Sequence, residues 1–428
     1  MTSSLNIGIA GLGTVGCATA NLLRQHSALL ATRTGKRVNI AAVSARDLSK
    51  DRPIDMGSLH VVPDPMELAT SDNIDCVVEL IGGAEGVAKE LVTTALEQGK
   101  HVVTANKALI AHHGLELAEI AEKNQVQLAF EAAVAGGIPV VKTLRESLAG
   151  NQCSTIRGIL NGTSNYILSE MGKSKRPFAD ILKDAQDKGY AEADPTFDID
   201  GTDAAHKLCI LSSIAFGTTP QIQSVHKEGM EHITPADLEY AAQLGYAVKI
   251  IGTATQTDHG VIQGVYPTMV PLDSPLAQVH DVLNAVSLDG DKVGSVFLEG
   301  PGAGGDPTAS SVVADIADIA RGTHYFAFGA PTTTLNAQRP PKHQLQTSYY
   351  LRTATSDQAG VLADITRIYH GQNISVDIMV QPRHTTGEPA ELVFKTHPTT
   401  EESIHAAVAA IGALPTVVTE PQIIRIMS

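Results

Sequence analysis

The 428 residues contain no tryptophan, and aromatic residues make up only 4% of the chain. That lowers the chance of an aromatic stacking platform for bases or sugar rings. Positive charge is also short: 31 Lys and Arg stand against 46 Asp and Glu, a net charge of −15. Nothing here would supply the counterion release that dominates binding to phosphate backbones, so no nucleic-acid partner is expected, and no attachment to an anionic membrane. No window approaches the roughly 18 apolar residues of a membrane span. MTSSLN at the start lacks a basic segment followed by an apolar one, so no signal peptide is expected. Cys17, Cys76, Cys153 and Cys209 lie far apart without a C-x-x-C pair, which predicts reduced thiols and a cytoplasmic location. No histidine is spaced from Cys or carboxylates as a transition-metal ligand set requires.

What is present is a chain with 43% hydrophobic residues, long enough for two or three domains. In the first 130 residues short apolar runs alternate with helical patterns. LNIGIAG (5–11) reads as a strand and 14–30 as one amphipathic helix, followed by strands at 38–45, 74–82, 101–106 and 126–133. Helices are expected at 88–100 and 112–125. Alternation of this kind predicts an α/β fold with a parallel sheet covered on both faces. From about 134 the pattern changes: a helix near Pro139 within 136–150, a strand, polar loop and helix over 156–171, and a helix start at Thr234-Pro235. Strands follow at 261–270 and 292–300, then a glycine-rich turn feeding a helix over 301–320. The stretch 331–346, with Pro340-Pro341, reads as a linker. After it comes a βαββαβ order, with a hairpin through 382–390, of the ferredoxin-like kind.

GIAGLGTVG places Gly11-Leu12-Gly13-Thr14-Val15-Gly16 between a strand and a helix. This is the dinucleotide fingerprint in its proper context: Gly11 for the tight turn, Gly13 for approach of the pyrophosphate, Gly16 for helix–sheet packing. The second strand ends Val43-Ser44-Ala45-Arg46, with no acid before Asp47 to hold a ribose diol. Arg46 could instead grip a 2′-phosphate, so NADP(H) is preferred and NAD(H) stays open.

Asp203 and Lys207 stand i,i+4 within FDIDGTDAAHKL, hence on one helix face. On spacing alone they read as an exposed salt bridge worth roughly 0.3–0.5 kcal/mol. Asp200 suits a helix start, and His206 is turned away from Lys207 and reads as packing.

Residues 185–207, AQDKGYAEADPTFDIDGTDAAHK, resemble the signature region of homoserine dehydrogenase. The likeness extends to TANKAL (104–109), EAAVAGGIPVV (131–141), NGTSNYIL (161–168) and GPGAGGDPTASSVVADI (300–316). The C-terminal unit, with D-x-x-G-V-L at 357–362, resembles an ACT domain, and the likeness is to the monofunctional type, without a preceding kinase domain. The resemblance implies reduction of L-aspartate 4-semialdehyde to L-homoserine with NAD(P)H, reversibly, on the route to threonine, methionine and isoleucine. It implies Lys207 as proton donor, kept charged by Asp203, and Lys107 near nicotinamide and substrate in either role. Glu192, Asp198 and Gly189 would meet the substrate, while Gly302 and Gly304 would pack back on the nucleotide. Glu131, Val134, Gly136 and Ile138 would hold Na⁺ or K⁺, mainly through carbonyls. Asp357, Gly360, Leu362 and Asn373 would take an amino-acid effector, threonine by analogy, in a homodimer or homotetramer.

The implied layout is a Rossmann nucleotide domain (1–135), an α+β substrate and dimerisation domain (136–330), a linker (331–347) and an ACT domain (348–428). Two other readings stay open from the residues alone. One is a related amino-acid dehydrogenase with a different substrate; the other is a catalytically silent nucleotide-binding sensor of amino acids.

Overall fold

The computed structural model describes residues 4–337, 346–382 and 388–427. Within the first part, β1 (Ser4–Ala10), β2 (Arg37–Ser44), β3 (Val61–Val62), β4 (Cys76–Glu79), β5 (His101–Thr104) and β6 (Leu128–Ala129) form one sheet. Its order is β3-β2-β1-β4-β5-β6 and every pairing is parallel. Ile7, Ile9, Val77, Val78, Val102 and Val103 are fully buried, as a sheet covered on both faces requires. The order reverses between β1 and β4, and a ligand crevice is expected beyond the carboxyl ends of these two strands.

A second sheet has ten strands: β7 (Cys153–Ile159), β8 (His226–Lys227), β9 (Tyr246–Thr257), β10 (Gly260–Pro271), β11 (Leu283–Gly290), β12 (Gly294–Pro301), β13 (Ser348–Thr355), β14 (Val376–Val380), β15 (Ala390–Thr396) and β16 (Gln422–Ile426). The order is β12-β11-β7-β9-β10-β16-β13-β15-β14, with β8 beside β10. The last four of these belong to the βαββαβ unit. Its final strand continues the preceding sheet through parallel pairing of Thr268 with Arg425 and Met269 with Ile426. Helix Thr202–Phe216 lies across β7, β9 and β10, and all but three of its residues are buried.

The chain then returns to the first sheet. Val312, Val313, Ile316, Ala317, Ile319 and Ala320 of helix Gly305–Arg321 share one apolar cluster with Ile7, Ile9, Cys17, Ala20 and Leu23. Helix against helix, it packs on Thr14–Gln25.

Several local expectations shift. The helix read over 14–30 breaks at His26 into Thr14–Gln25 and Ser27–Thr34. The helix expected from 112 begins five residues earlier at Lys107, because Asn106 caps it through Leu109 N. The stretch 136–150 is one short α-turn, Val140–Lys142, and a π-turn, Thr143–Ser147. After Thr234 the helix ends at Gln243, and β9 starts at Tyr246 where periodicity changes from helical to alternating. Strand β11, which sequence did not single out, fills the gap between β7 and β12. Of the linker expected over 331–346, Thr332–Thr334 forms a short 3-10 turn, while residues 338–345 with Pro340-Pro341, like the hairpin tip at 383–387, lie outside the described residues.

Asp237 ties the two parts of the second sheet together. It closes a capping box with Thr234, and its fully buried carboxylate takes Arg352 Nε at 2.7 Å, Arg352 Nη2 at 3.1 Å and Tyr350 Oη at 3.0 Å. Removing one partner of a buried pair strands the other charge. Arg352→Ala should therefore cost about 3 kcal/mol, read as a lowered urea midpoint with unchanged m-value.

Candidate active site

The fingerprint turn has the geometry a dinucleotide needs. A Cβ on Gly11 (φ 99°) would lie 2.5 Å from Leu80 O, and one on Gly16 would lie 2.0 Å from Gly11 O. A Cβ on Gly13, by contrast, would meet nothing within 4 Å, so the backbone here faces open space. Helix Thr14–Gln25 starts at Gly13 with no side chain capping it, leaving first-turn N–H groups for an anion. Helix Gly305–Arg321 also starts uncapped, at Gly304, and a Cβ on Gly305 would stand 3.2 Å from Thr14 Cγ2. Gly302 sits in the same turn, too close to Asn284 to carry a side chain. The adjoining cleft of about 600 Å³ is lined by Gly11, Leu12, Gly13, Arg46, Lys50 and Arg52, among others. Arg52 Nε donates to Leu12 O at 3.0 Å and so fixes the turn from across the cleft. Sequence reading missed Arg52, whose position in an irregular loop carries no periodic signal.

Lys107, Asp203, Lys207, Asp198 and Asn161 come together where the two sheets face each other. Lys107 opens its helix just after β5, held there by a chain of caps. Glu79 accepts from Ile81 N, Gly82 N and Thr104 Oγ1, Thr104 Oγ1 from Asn106 N, and Asn106 donates to Gly83 O. Lys107 Nζ is 2.8 Å from Asp203 Oδ1, while Lys207 Nζ is 2.8 Å from Asp203 Oδ2. One carboxylate thus serves two ammonium groups. Lys207 Nζ also donates to Leu160 O at 2.7 Å. Asn161 Nδ2 donates to Asp203 Oδ2 at 2.9 Å and to Asp198 Oδ1 at 2.8 Å. Its own Oδ1 caps helix Gly162–Ser174 through Ser164 N, which orients the amide.

Comparison with known proteins agrees with this arrangement. Residues 11–131 match the family description "Homoserine dehydrogenase, NAD binding domain" and 139–317 match "Homoserine dehydrogenase". A homoserine dehydrogenase of Neisseria gonorrhoeae is 44% identical over 99% of both chains. The crystal structure of a homoserine dehydrogenase from Thiobacillus denitrificans superposes with a TM-score of 0.94 at 43% identity, covering 99% of this chain and 98% of that one. The chain belongs to the homoserine dehydrogenase family. A hyperthermophilic archaeal homoserine dehydrogenase in complex with NADPH, 29% identical with a TM-score of 0.65, covers 76% of this chain and 99% of its own. The enzyme is accordingly an NAD(P)-dependent oxidoreductase of amino-acid biosynthesis, taking a nicotinamide cofactor and a small-molecule substrate.

Electrostatics separate the two lysines of this homoserine dehydrogenase. Burial pulls the Lys207 pKa down by more than the Asp203 carboxylate restores, and the Lys107 ammonium pushes the same way. Asp203 favours the charged form of Lys207, as expected, but burial, which the sequence reading did not weigh, opposes it. Spacing reports that two residues share a face, but not how deep that face lies, and the Lys207 side chain is only 10% exposed. For Lys107, whose side chain is 40% exposed, burial also opposes the charge, but Asp203 outweighs it and the pKa rises. Asp203 itself is held far below the usual carboxylate range: burial opposes this, and the two lysines overcome it. Burial raises the Asp198 pKa, tempered by the Asn161 hydrogen bond. His206 packs edge-on against His112 at 5.3 Å between ring centres and is pushed down to about 4, first by burial and then by His112 and Lys107.

Other candidate residues spread more widely. Glu192 is exposed but near enough for its charge to act on Lys107 and Asp198. Gly189 is exposed just beyond helix Phe178–Asp187, with φ 73°, and a Cβ there would meet nothing within 4 Å. Asp200 accepts from Thr202 N at 2.8 Å and from Lys227 Nζ at 2.7 Å. Glu131, Val134, Gly136 and Ile138 lie in the junction between β6 and the second sheet. The Glu131 carboxylate is taken up by Val141 N and Lys142 N, and burial followed by Asp315 pushes its pKa up to about 8. Gly360 precedes helix Val361–Gly371, and Asn373 (φ 55°) follows it. Asp357 and Leu362 are exposed beside the helix start.

Asp203→Asn would leave two ammonium groups facing a neutral amide. Both lysines would then lose protons more readily, and kcat should fall about a hundredfold or more while NADPH binding, followed by cofactor fluorescence, is unchanged.

Proposed function

We propose that Lys207 transfers the proton in the interconversion of L-aspartate 4-semialdehyde and L-homoserine, with Asp203 and Lys107 completing the reacting set. The nicotinamide supplies or accepts the hydride. As charge develops on the substrate oxygen, Lys207 gives up its proton; in the opposite direction neutral Lys207 takes it from the hydroxyl. The observation that carries this is the placement of Lys207 Nζ. Two of its N–H groups are spent on Leu160 O and Asp203, leaving a third in a water-poor site. Burial lowers its pKa, which eases the loss of the proton that an acid–base group has to exchange. Lys107, held charged, would steady the developing alkoxide from the more open side. Asp198 and Glu192 would take the amino and hydroxyl end of the substrate, with Gly189 in the same loop.

NADP(H) is the preferred cofactor in this reading. Arg46, Lys50 and Arg52 line the cleft beyond β2, where an acid would otherwise hold the ribose, and guanidinium groups suit a 2′-phosphate. We take the chain to comprise the nucleotide, substrate and ACT units with the bounds given above, in a cytoplasmic homodimer or homotetramer. Threonine is the proposed effector, at Asp357, Gly360, Leu362 and Asn373. Na⁺ or K⁺ would sit among carbonyls of Glu131, Val134, Gly136 and Ile138. Ala135 and Gly136, both near φ 54°, turn that loop tightly, and the bound ion would hold the junction between the sheets.

Lys207→Met should abolish turnover in both directions and leave NADPH binding intact. In the parent enzyme homoserine oxidation needs neutral Lys207, so its rate should rise with pH through a midpoint below the ordinary lysine value, and aldehyde reduction should fall through the same midpoint. Residual Lys207→Met activity above about a tenth would assign the proton to another group. Arg46→Ala should raise the KM for NADPH about tenfold and leave that for NADH unchanged, measured by initial rates.

A further inference from the structure

Strand β10 has β9 along one edge, and its other edge is shared end to end by two short strands. His226 and Lys227 of β8 pair with Gly264 and Val265, and Arg425 and Ile426 of β16 pair with Thr268 and Met269. Where these two meet, Arg425 grips Glu228 with both ends of its guanidinium, Nη1 to Oε2 at 2.7 Å and Nη2 to Oε1 at 2.8 Å. Arg425 Nη2 also donates to Glu401, and the guanidinium lies 4.2 Å from the centre of the Tyr266 ring. His226 Nε2 is 2.8 Å from Glu228 Oε1. His226, Glu228 and Glu401 bring their ligand atoms within 4.8 Å of one another. The position a metal ion would take is met by the Arg425 guanidinium, so the cluster serves as a clamp.

The segment held by this clamp lies directly against the substrate loop. Lys227 Nζ donates to Asp200 Oδ2 at 2.7 Å and to Thr202 Oγ1. Met230 N donates to Ile199 O at 3.2 Å, and a Cβ on Gly229 would stand 3.2 Å from that same oxygen. Gly201 (φ 84°) allows Ile199–Thr202 to turn between Asp198 and Asp203, with Val265 behind it. The turn is thus held by Val265 of β10 and by residues 227–230, while Asn161 holds the two carboxylates on either side of it.

We infer that Arg425, acting through Glu228 and Lys227, is a positioning residue for the reaction: the C-terminal strand sets where Asp198 and Asp203 stand relative to Lys107 and Lys207. Arg425 touches neither reacting group. Its contribution is a bidentate, well-covered charge pair that holds residues 227–230 in register, and a lysine in its place would supply only a point charge. Small displacements of an oriented acid–base set have large kinetic effects. The inference rests on the proposed roles of Lys207 and Asp203.

The test is steady-state homoserine oxidation by the full-length enzyme carrying Arg425→Met, Glu228→Gln, Lys227→Met and the Arg425→Met/Lys227→Met pair, with Lys207→Met alongside. Arg425→Met and Glu228→Gln should each lower kcat/KM for homoserine roughly tenfold to a hundredfold, while NADPH affinity stays within about twofold. The double variant should lose little beyond the worse single one, since both act through one segment. Folding is checked by thermal unfolding. If Arg425→Met does not fold, the isosteric Glu228→Gln decides alone. Unchanged homoserine kinetics in a folded Arg425→Met or Glu228→Gln enzyme, or fully additive losses in the double variant, would overturn the inference. Should Lys207→Met retain turnover, the reading of the reacting set fails instead, whatever the clamp variants do.

Discussion

One carboxylate shared by two ammonium groups is the constraint to which the rest of the molecule answers. Asp203 comes from a helix of the second sheet, and Lys107 from a helix that follows a strand of the first. The pair closes only if both sheets stand in one relative position. Burying such a triad costs several kcal/mol per ion unless all of its hydrogen bonds are made. The caps around Asn106, the double donation by Asn161 and the carbonyl of Leu160 meet that requirement. The stability sacrificed there becomes a chemical difference between two otherwise equivalent amines.

That difference comes from depth. Burial lowers the pKa of the inner amine, whereas at the outer, more exposed one burial pulls the same way and Asp203 overcomes it. A single fixed anion is thereby set against burial at two depths, and the balance falls in opposite directions at the two amines.

Much of this was legible in the sequence, for identifiable reasons. The fingerprint glycines announce themselves because three separate steric demands fall at fixed spacing, and Gly11, Gly13 and Gly16 meet them in turn. The βαββαβ order after residue 347 showed through because each element is short, apolar and bounded by a turn. The α/β class and the parallel first sheet follow from alternation alone. Asn161 did not show through: its neighbours read as a polar loop, whereas the structure makes it a helix cap whose second function depends on residues 37 and 42 positions away. Arg52 is similar, reaching back 40 residues to Leu12. The burial of Lys207 did not show through either, because i,i+4 spacing is a local quantity and desolvation is a global one. Strand β11 was overlooked because Leu283–Gly290 puts a polar Asn284 on its buried face beside Val286 and Leu288, and apolar Leu283 and Ala285 on the other, so its sequence lacks a clean alternation.

Helix Gly305–Arg321 bears on how such a chain can be divided. It closes the apolar face of the first sheet after more than 150 residues spent building the second. Topologically, the substrate unit is an insertion between the sixth strand and the closing helix of the nucleotide unit. Neither is therefore a module that can be cut out at one point: severing the chain after residue 135 would leave Ile7, Ile9 and Val78 without their cover. Exchange of substrate units between enzymes of this architecture has to be made at two seams, one on each side of the insertion.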